Sequence, residues 1–294
     1  MQMAEDQFQF FEGVLFETLG RDVHVNEYRL LQGGSINITV QVDTNEGKYF
    51  IKYNTLNYEG MFEAEAQGLD LLRKAEVLRT PEVINWGRRD GHDYLILENI
   101  ECAKPGSDYW EVLGQNLAAL HRNTNDSFGL AFNNYIGSLE QHNEPNTDWI
   151  NFFIEKRLNT QAGLAYYNDL ISKEVYDKFQ QFYKVLPNLL PDESPALLHG
   201  DLWSGNVIAD NTGDPCLIDP AVYYGNREIE LAFTTLFDGF DNRFYEAYHE
   251  SFPLQPRFEE RVPIYNIYPL MVHVNIFGTL YLPPVLRTIN RFLY

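Results

Sequence analysis

The stretch Leu198-His199-Gly200-Asp201-Leu202-Trp203-Ser204-Gly205-Asn206, followed by Cys216-Leu217-Ile218-Asp219-Pro220, constrains this chain more than any other. Two short apolar runs, Val207-Ile208-Ala209 and Cys216-Leu217-Ile218, flank the turn-forming cluster Asp210-Asn211-Thr212-Gly213-Asp214. That pattern predicts a hairpin, which returns Asp219 to the side of Asn206. Two oxygen donors distant in sequence then meet, as a hard cation shared with substrate phosphates requires. The order of residues is His-x-Asp, an Asn five residues after the Asp, and a second Asp behind an apolar run. It is the order in which phosphotransfer enzymes carry a base and then two metal ligands. Asp201 is the candidate base, and Asn206 and Asp219 are the candidate metal ligands.

At 294 residues the chain can bury a large core, as two domains or one bilobal unit. Its 45% hydrophobic content, rich in aromatics, excludes a disordered class. The formal charge of −20, from 42 acidic against 22 basic residues, argues against nucleic acid or an anionic membrane as partner, because such surfaces are bound through Lys and Arg. Cys102 and Cys216 are far apart and outside any C-x-x-C pattern, so neither a disulfide framework nor a zinc site is expected. Met1 to Asp6 lacks the basic and apolar regions of a secretory signal, and no apolar run approaches membrane-spanning length. The expectation is a cytoplasmic protein.

Upstream, Phe8, Phe11, Leu15, Phe16 and Leu19 recur at helical spacing, with Gly20 placed to end the helix. Gly33, Gly34 and Ser35 then head a strand-turn-strand pattern running through Ile38-Val40-Val42 and Lys48 to Tyr53. A loop of that kind can lay backbone N–H groups against phosphates, although Gly-Gly is also an ordinary turn. It matches neither G-x-G-x-x-G nor the Walker lysine pattern. Strand alternation puts Lys52 on the face of Phe50. Thirteen residues on, in the helical stretch 58–74, Glu65 shares a helix face with Leu69 and Leu72, where a carboxylate needs a partner. Glu63 is rotated away, towards solvent. Lys52 is therefore a candidate to reach nucleotide phosphates, with Glu65 holding it.

Thr80-Pro81 breaks this helix, and strands are expected at Glu82–Trp86 and Asp93–Ile100, turning at Arg89-Asp90-Gly91. The lobe boundary is placed after residue 101. Glu98, Asn99 and Ile100 are the linker candidates for adenine, or they simply finish a strand. Beyond it, Ser107 is expected to cap a helix carrying Trp110, Leu113, Leu117 and Leu120. Residues 123–144 read as turn-rich, and helices are expected around 149–161, 168–185, 228–237 and 263–281. Glu228 and His273 lie on two of these and are candidates to face a substrate; a structural role accounts for each at least as well. A hydrolase does not explain the centre, because Ser204 lacks the first Gly of G-x-S-x-G and has no strand-to-helix elbow.

The segment His199-Gly200-Asp201-Leu202-Trp203-Ser204-Gly205-Asn206 resembles the signature of the fructosamine kinases, or ketosamine-3-kinases, a branch of the aminoglycoside phosphotransferase-like group. The resemblance spans nearly the whole chain, through Gly33-Gly34-Ser35-Ile36-Asn37, Phe50-Ile51-Lys52, Met61-Phe62-Glu63-Ala64-Glu65, Trp149 with Phe152-Phe153 and Arg157-Leu158, Tyr224-Gly225-Asn226-Arg227-Glu228, and Phe277-Gly278. His-Gly-Asp is shared with small-molecule kinases at large, whereas Leu-Trp-Ser-Gly-Asn is much more specific.

The resemblance implies an α+β, bilobal, protein-kinase-like fold. An N-terminal lobe (1–101) carries an antiparallel sheet with a helix, and a larger, mostly helical lobe spans 102–294. It implies ATP-dependent phosphorylation of the sugar 3-hydroxyl of a small ketosamine or of a glycated lysine on a peptide or protein. Asp201 would act as base, Asn206 and Asp219 would hold Mg²⁺, Lys52 would hold the phosphates and Glu65 the lysine. Trp203 would form a wall of the acceptor site, where an aromatic face meets a sugar or a protonated amine. Asp219 is followed by Pro220 instead of Phe-Gly, which speaks against a protein-kinase activation segment. Another hydroxyl acceptor, of aminoglycoside or choline type, is the alternative within the same fold. A nucleotide-binding protein without turnover is the alternative outside it.

Overall fold

The computed structural model describes residues 2–31, 37–54, 58–237 and 239–293. Helix α1 (Gln2–Leu19) ends where Gly20, at φ 66°, donates its N–H back to the Phe16 carbonyl. Strands β1 (Val25–Leu30), β2 (Ile38–Thr44) and β3 (Gly47–Asn54) follow, then helix α2 (Met61–Lys74) and strands β4 (Val83–Arg89) and β5 (His92–Glu98). The five strands form one antiparallel sheet in the order β1-β2-β3-β5-β4. Asp90 and Gly91, both at positive φ, close the β4–β5 hairpin.

Alternation decides what each sheet face buries. Tyr49, Ile51 and Tyr53 of β3 join Val40, Val42, Tyr94 and Ile96 beneath Phe11, Val14 and Leu15 of α1. The opposite face sends Phe50, Leu95 and Leu97 against Phe62, Ala66 and Leu69 of α2. Lys52 is on this second face, paired in register with Leu95. A one-residue slip in β3 would move it to the α1 side.

The chain then runs 99–108 without regular structure into α3 (Tyr109–Leu120). The N-cap of α3 is Asp108, whose side chain makes no cap bond, and not Ser107 as expected. The Ser107 carbonyl instead accepts a hydrogen bond from the Arg243 guanidinium, and the first turn begins a residue later. Within the turn-rich segment lies a small hairpin, β6 (Asn134–Ile136) and β7 (Leu139–Gln141). Next come α4 (Trp149–Phe152), a π-helical turn over Phe153–Leu158, α5 (Asn159–Tyr167), α6 (Lys173–Tyr183) and β8 (Ala196–Leu198).

The predicted hairpin is β9 (Val207–Ala209) with β10 (Pro215–Leu217), and β11 (Tyr223–Gly225) pairs with β8. Helices α7 (Arg227–Phe233), α8 (Asn242–Ser251), α9 (Phe258–Tyr265), α10 (Ile267–Phe277) and α11 (Leu282–Leu293) complete the chain. They enclose the largest apolar cluster, which also takes in Leu72 and Leu78 from the end of α2 and the segment after it. The architecture is α+β and protein-kinase-like: a small sheet lobe, a linker and a larger helical lobe. Among the described residues, no helix is long and apolar enough to cross a membrane.

Candidate active site

The loop after β8 is held by its own residues and by the hairpin beside it. Gly200 sits at φ 84°, and a Cβ there would run into the Ala221 carbonyl, so only glycine permits this approach. His199 is fully buried. Its Nε2 lies 2.9 Å from the Ile218 carbonyl and its Nδ1 accepts the Asp201 N–H at 3.3 Å, which defines a neutral, Nε2-protonated ring. Burial pushes its pKa down. The histidine thus ties the Asp201 loop to the residue before Asp219. On the other side, the Ile218 N–H donates to the Asn206 carbonyl at 3.0 Å, so the hairpin sets Asp219 beside Asn206.

The Asn206 amide donates both to the Asp201 carbonyl at 2.8 Å and to its Oδ2 at 3.0 Å. Its Oδ1 is the atom left to meet a cation. Burial pushes the Asp201 carboxyl up to about 7, opposed by the Asn206 hydrogen bond and reinforced by the charges of Asp219 and Glu230. Asp219, at φ 56°, gives one carboxylate oxygen to Lys52 at 2.8 Å. The Lys52 ammonium also reaches Glu65 at 2.7 Å. Burial alone would lower the Lys52 pKa, but the charges of Asp219 and Glu65 hold it above the ordinary lysine value. Lys52, Glu65 and Asp219 therefore join both lobes across one cleft of about 510 Å³, which Asp201, Asn206 and Trp203 also line. Glu63 is exposed.

Among the described residues, no group of three or more His, Cys, Asp or Glu forms a metal cage. Asn206 Oδ1 and the second oxygen of Asp219 are two hard donors in an otherwise open cleft. That number suits Mg²⁺, which keeps waters and substrate phosphates in its shell, and not a cation needing an all-protein site.

The remaining predicted positions are treated unevenly. Trp203 lines the cleft, its indole folded over Gly205, where a Cβ would run into the ring. His273 lines a small cavity reached from Asp201 and Gly200. Its Nδ1 is 2.7 Å from the Pro269 carbonyl and burial lowers its pKa, so the ring is neutral and Nε2 is an acceptor. Glu228 does not face the site. It is fully buried, with both oxygens bound by Arg261 at 2.5 and 2.7 Å, and it lines neither cavity. The carboxylate at the centre is Glu230, two residues on, which spacing did not single out. It accepts the N–H groups of Gly200 at 2.7 Å and His199 at 3.2 Å and pairs with His121 at 2.8 Å.

In the linker, the Glu98 N–H is already given to the Glu82 carbonyl and its side chain to Arg79, while the Asn99 side chain accepts from Gln41. The Ile100 carbonyl lies 3.8 Å from the Cys102 thiol. Gly33, Gly34 and Ser35 lie outside the described residues. The sequence reading also missed the 134–137 turn, whose Asn134, Tyr135 and Gly137 form the cleft wall. Tyr135 there donates to the Glu59 carbonyl of the other lobe at 2.9 Å.

The family model described as fructosamine kinase matches residues 8–294. A probable ketoamine kinase of Synechocystis is 40% identical over 268 residues, covering 89% of this chain and 88% of that protein. The chloroplastic protein-ribulosamine 3-kinase of Arabidopsis thaliana is 34% identical over 297 residues, covering 99% and 89%. A crystal structure of a candidate fructosamine-3-kinase from Haemophilus somnus superposes with a TM-score of 0.88 at 30% identity, over 97% of each chain.

Proposed function

The chain belongs to the fructosamine kinase family, and from that premise we propose that it transfers the γ-phosphoryl group of ATP to the sugar 3-hydroxyl of a ketosamine. The observation that carries this reading is the single cleft in which Lys52, Glu65 and Asp219 are ion-paired opposite the Asp201–Asn206 pair. Lys52 binds and orients the phosphates, and Glu65 holds the ammonium in place. Asn206 and Asp219 would hold Mg²⁺, which when bound neutralises charge on the phosphates. Asp201 orients the hydroxyl and takes its proton as the new P–O bond forms and the bond to ADP breaks. Leu31, Phe50 and Ile218 offer apolar lining for adenine.

Trp203 and His273 flank the acceptor, and both are uncharged, as suits a protonated amine. Glu228 has no part in this. The acceptor is a small ketosamine or a glycated lysine on a peptide or protein, and the protein works in the cytoplasm with its lobes at 1–101 and 102–294.

The test is Mg²⁺-dependent ATP consumption over glycated amines, free sugars, aminoglycosides and choline. Turnover confined to the last two removes the ketosamine reading. Asp201→Asn should lower kcat by roughly 10²–10⁴-fold, the usual worth of a positioned base, while ATP affinity stays near wild type. Wild-type rates in that variant would take Asp201 out of the mechanism.

A further inference from the structure

A run of rings leads outward from the acceptor side of the cleft. Trp203 meets the edge of Phe237 at 6.3 Å between centroids, and Phe237 lies 4.7 Å from His273. His273 in turn contacts Phe277 at 5.5 Å and Tyr281 at 5.0 Å. The outer end is open to solvent: Phe277 is 51% exposed and Leu280 82%. Phe277 and Leu280, three positions apart in the chain, are exposed large apolar side chains of the kind that mark a surface something else covers.

Phe237 shows that this arrangement is held against a cost. It is a bulky residue at φ 51°, in the left-handed region, and its carbonyl accepts from Ser204 Oγ in the same loop as Trp203. The ring is thereby fixed between the catalytic loop and the end of α10.

Direction identifies the occupant. The phosphate side of the cleft is taken by Lys52, Glu65 and Asp219, so a hydroxyl placed at Asp201 has the rest of its molecule on the Trp203 side. His273 and Asp201 both line one small cavity, and His273 is itself a member of the ring series. A ketosamine consists of a sugar, an amine nitrogen and whatever the amine carried. With the sugar at Asp201 and the charged nitrogen near the neutral faces of Trp203 and His273, the amine's substituent reaches Phe237, Tyr281 and Phe277.

We propose that these rings and Leu280 form a shelf for that substituent, and that the preferred acceptors are ketosamines of amines bearing an aromatic or large apolar group. The proposal rests on the ketosamine reading above. It adds a choice among ketosamines that the catalytic residues themselves cannot make, because they touch only sugar and phosphate.

The test compares two fructose adducts, of methylamine and of 2-phenylethylamine, which share sugar and charge and differ only in the aromatic arm. Wild-type protein should favour the phenylethyl adduct in kcat/KM by roughly tenfold, the size of a modest apolar contact, with the difference in KM. Phe277→Ser and Leu280→Ser, both at exposed positions, should each shrink that ratio, and the double variant should bring it close to one. A ratio near one in the wild type, or one unchanged in the double variant, overturns the shelf while turnover of the methylamine adduct leaves the kinase reading standing. Absence of turnover with both adducts overturns the kinase reading, and the shelf falls with it.

Discussion

At the scale of single residues, the loop around Asp201 is held by one buried carboxylate. Burial alone would raise the Glu230 pKa, but the His121 ring and the N–H of Gly200 hold it below the ordinary value, so it is an anion that accepts from both sides. Glu230→Gln puts an amide N–H₂ where an acceptor faces N–H donors, leaving a buried donor unpaired at a cost of about 1–3 kcal/mol. Glu230 acts through the Gly200 and His199 N–H groups that it accepts, so it is a positioning residue. The variant should lose kcat with the KM for ATP nearly unchanged, and Tm should fall. A rise in the KM for ATP at constant kcat would contradict this role. The sequence suggested Glu228 in place of Glu230 because every residue of α7 is buried, and spacing does not rank two carboxylates on a helix without an outer face. Asp201, Asn206, Asp219 and Lys52 could be picked out because the first three belong to one contiguous stretch closed by a hairpin and Lys52 lies on a strand whose period sets its face. The partners of Glu228 and Glu230 come from 33 and 109 positions away along the chain, beyond any local pattern.

At the scale of elements, the β9–β10 hairpin could be read from its turn chemistry. Asp210 accepts from the backbone N–H groups of Thr212 and Asp214 and from the Thr212 hydroxyl, so it builds the turn itself. It also pairs with Arg79 at 2.5 Å, and Arg79 reaches Glu98 of the linker at 2.7 Å. The hairpin that places Asp219 is therefore fastened to the end of β5. Burial would raise the Asp210 pKa, but these hydrogen bonds depress it well below the usual carboxylate range. Its unfolded value is about 3.9, so the stability it contributes is complete above that pH and is lost as pH falls through the lower, folded value. Asp210→Asn should be destabilised by about 1–3 kcal/mol at pH 7, the scale of hydrogen bonds to a charged group. The gap from wild type should begin to narrow below about pH 4, where the unfolded chain takes up the proton, and close only as pH falls through the lower, folded value. Tm measured against pH checks this, and a gap independent of pH would show that the charge is not the cause. The β6–β7 hairpin escaped the sequence reading because its three-residue strands are too short to alternate visibly. The same shortness of signal hid the π-helical turn and the cap of α3.

At the scale of the whole molecule, the sheet lobe has its own apolar clusters on each sheet face, and the helical lobe has a larger one that also takes in Leu72 and Leu78. The active-site tie between them is polar: one lysine with carboxylates from either side. Glu65, Asp201 and Asp219 set three carboxyl groups against one lysine in the cleft of a chain with net charge −20. ATP adds further negative charge, so Lys52 alone does not balance it. Cation and nucleotide should therefore bind cooperatively, Asn206 and Asp219 being the residues that would hold the cation. A ligand at a hundredfold its Kd stabilises the folded state by about 2.7 kcal/mol. For a chain of this size that is a Tm rise of several degrees. ATP with Mg²⁺ should give such a rise and ATP with EDTA much less of one. Asp219→Asn should reduce the difference between the two conditions, because a ligand oxygen has lost its charge. An equal rise with and without the cation would separate nucleotide binding from Asn206 and Asp219, and the metal would then have to be sought elsewhere in the cleft.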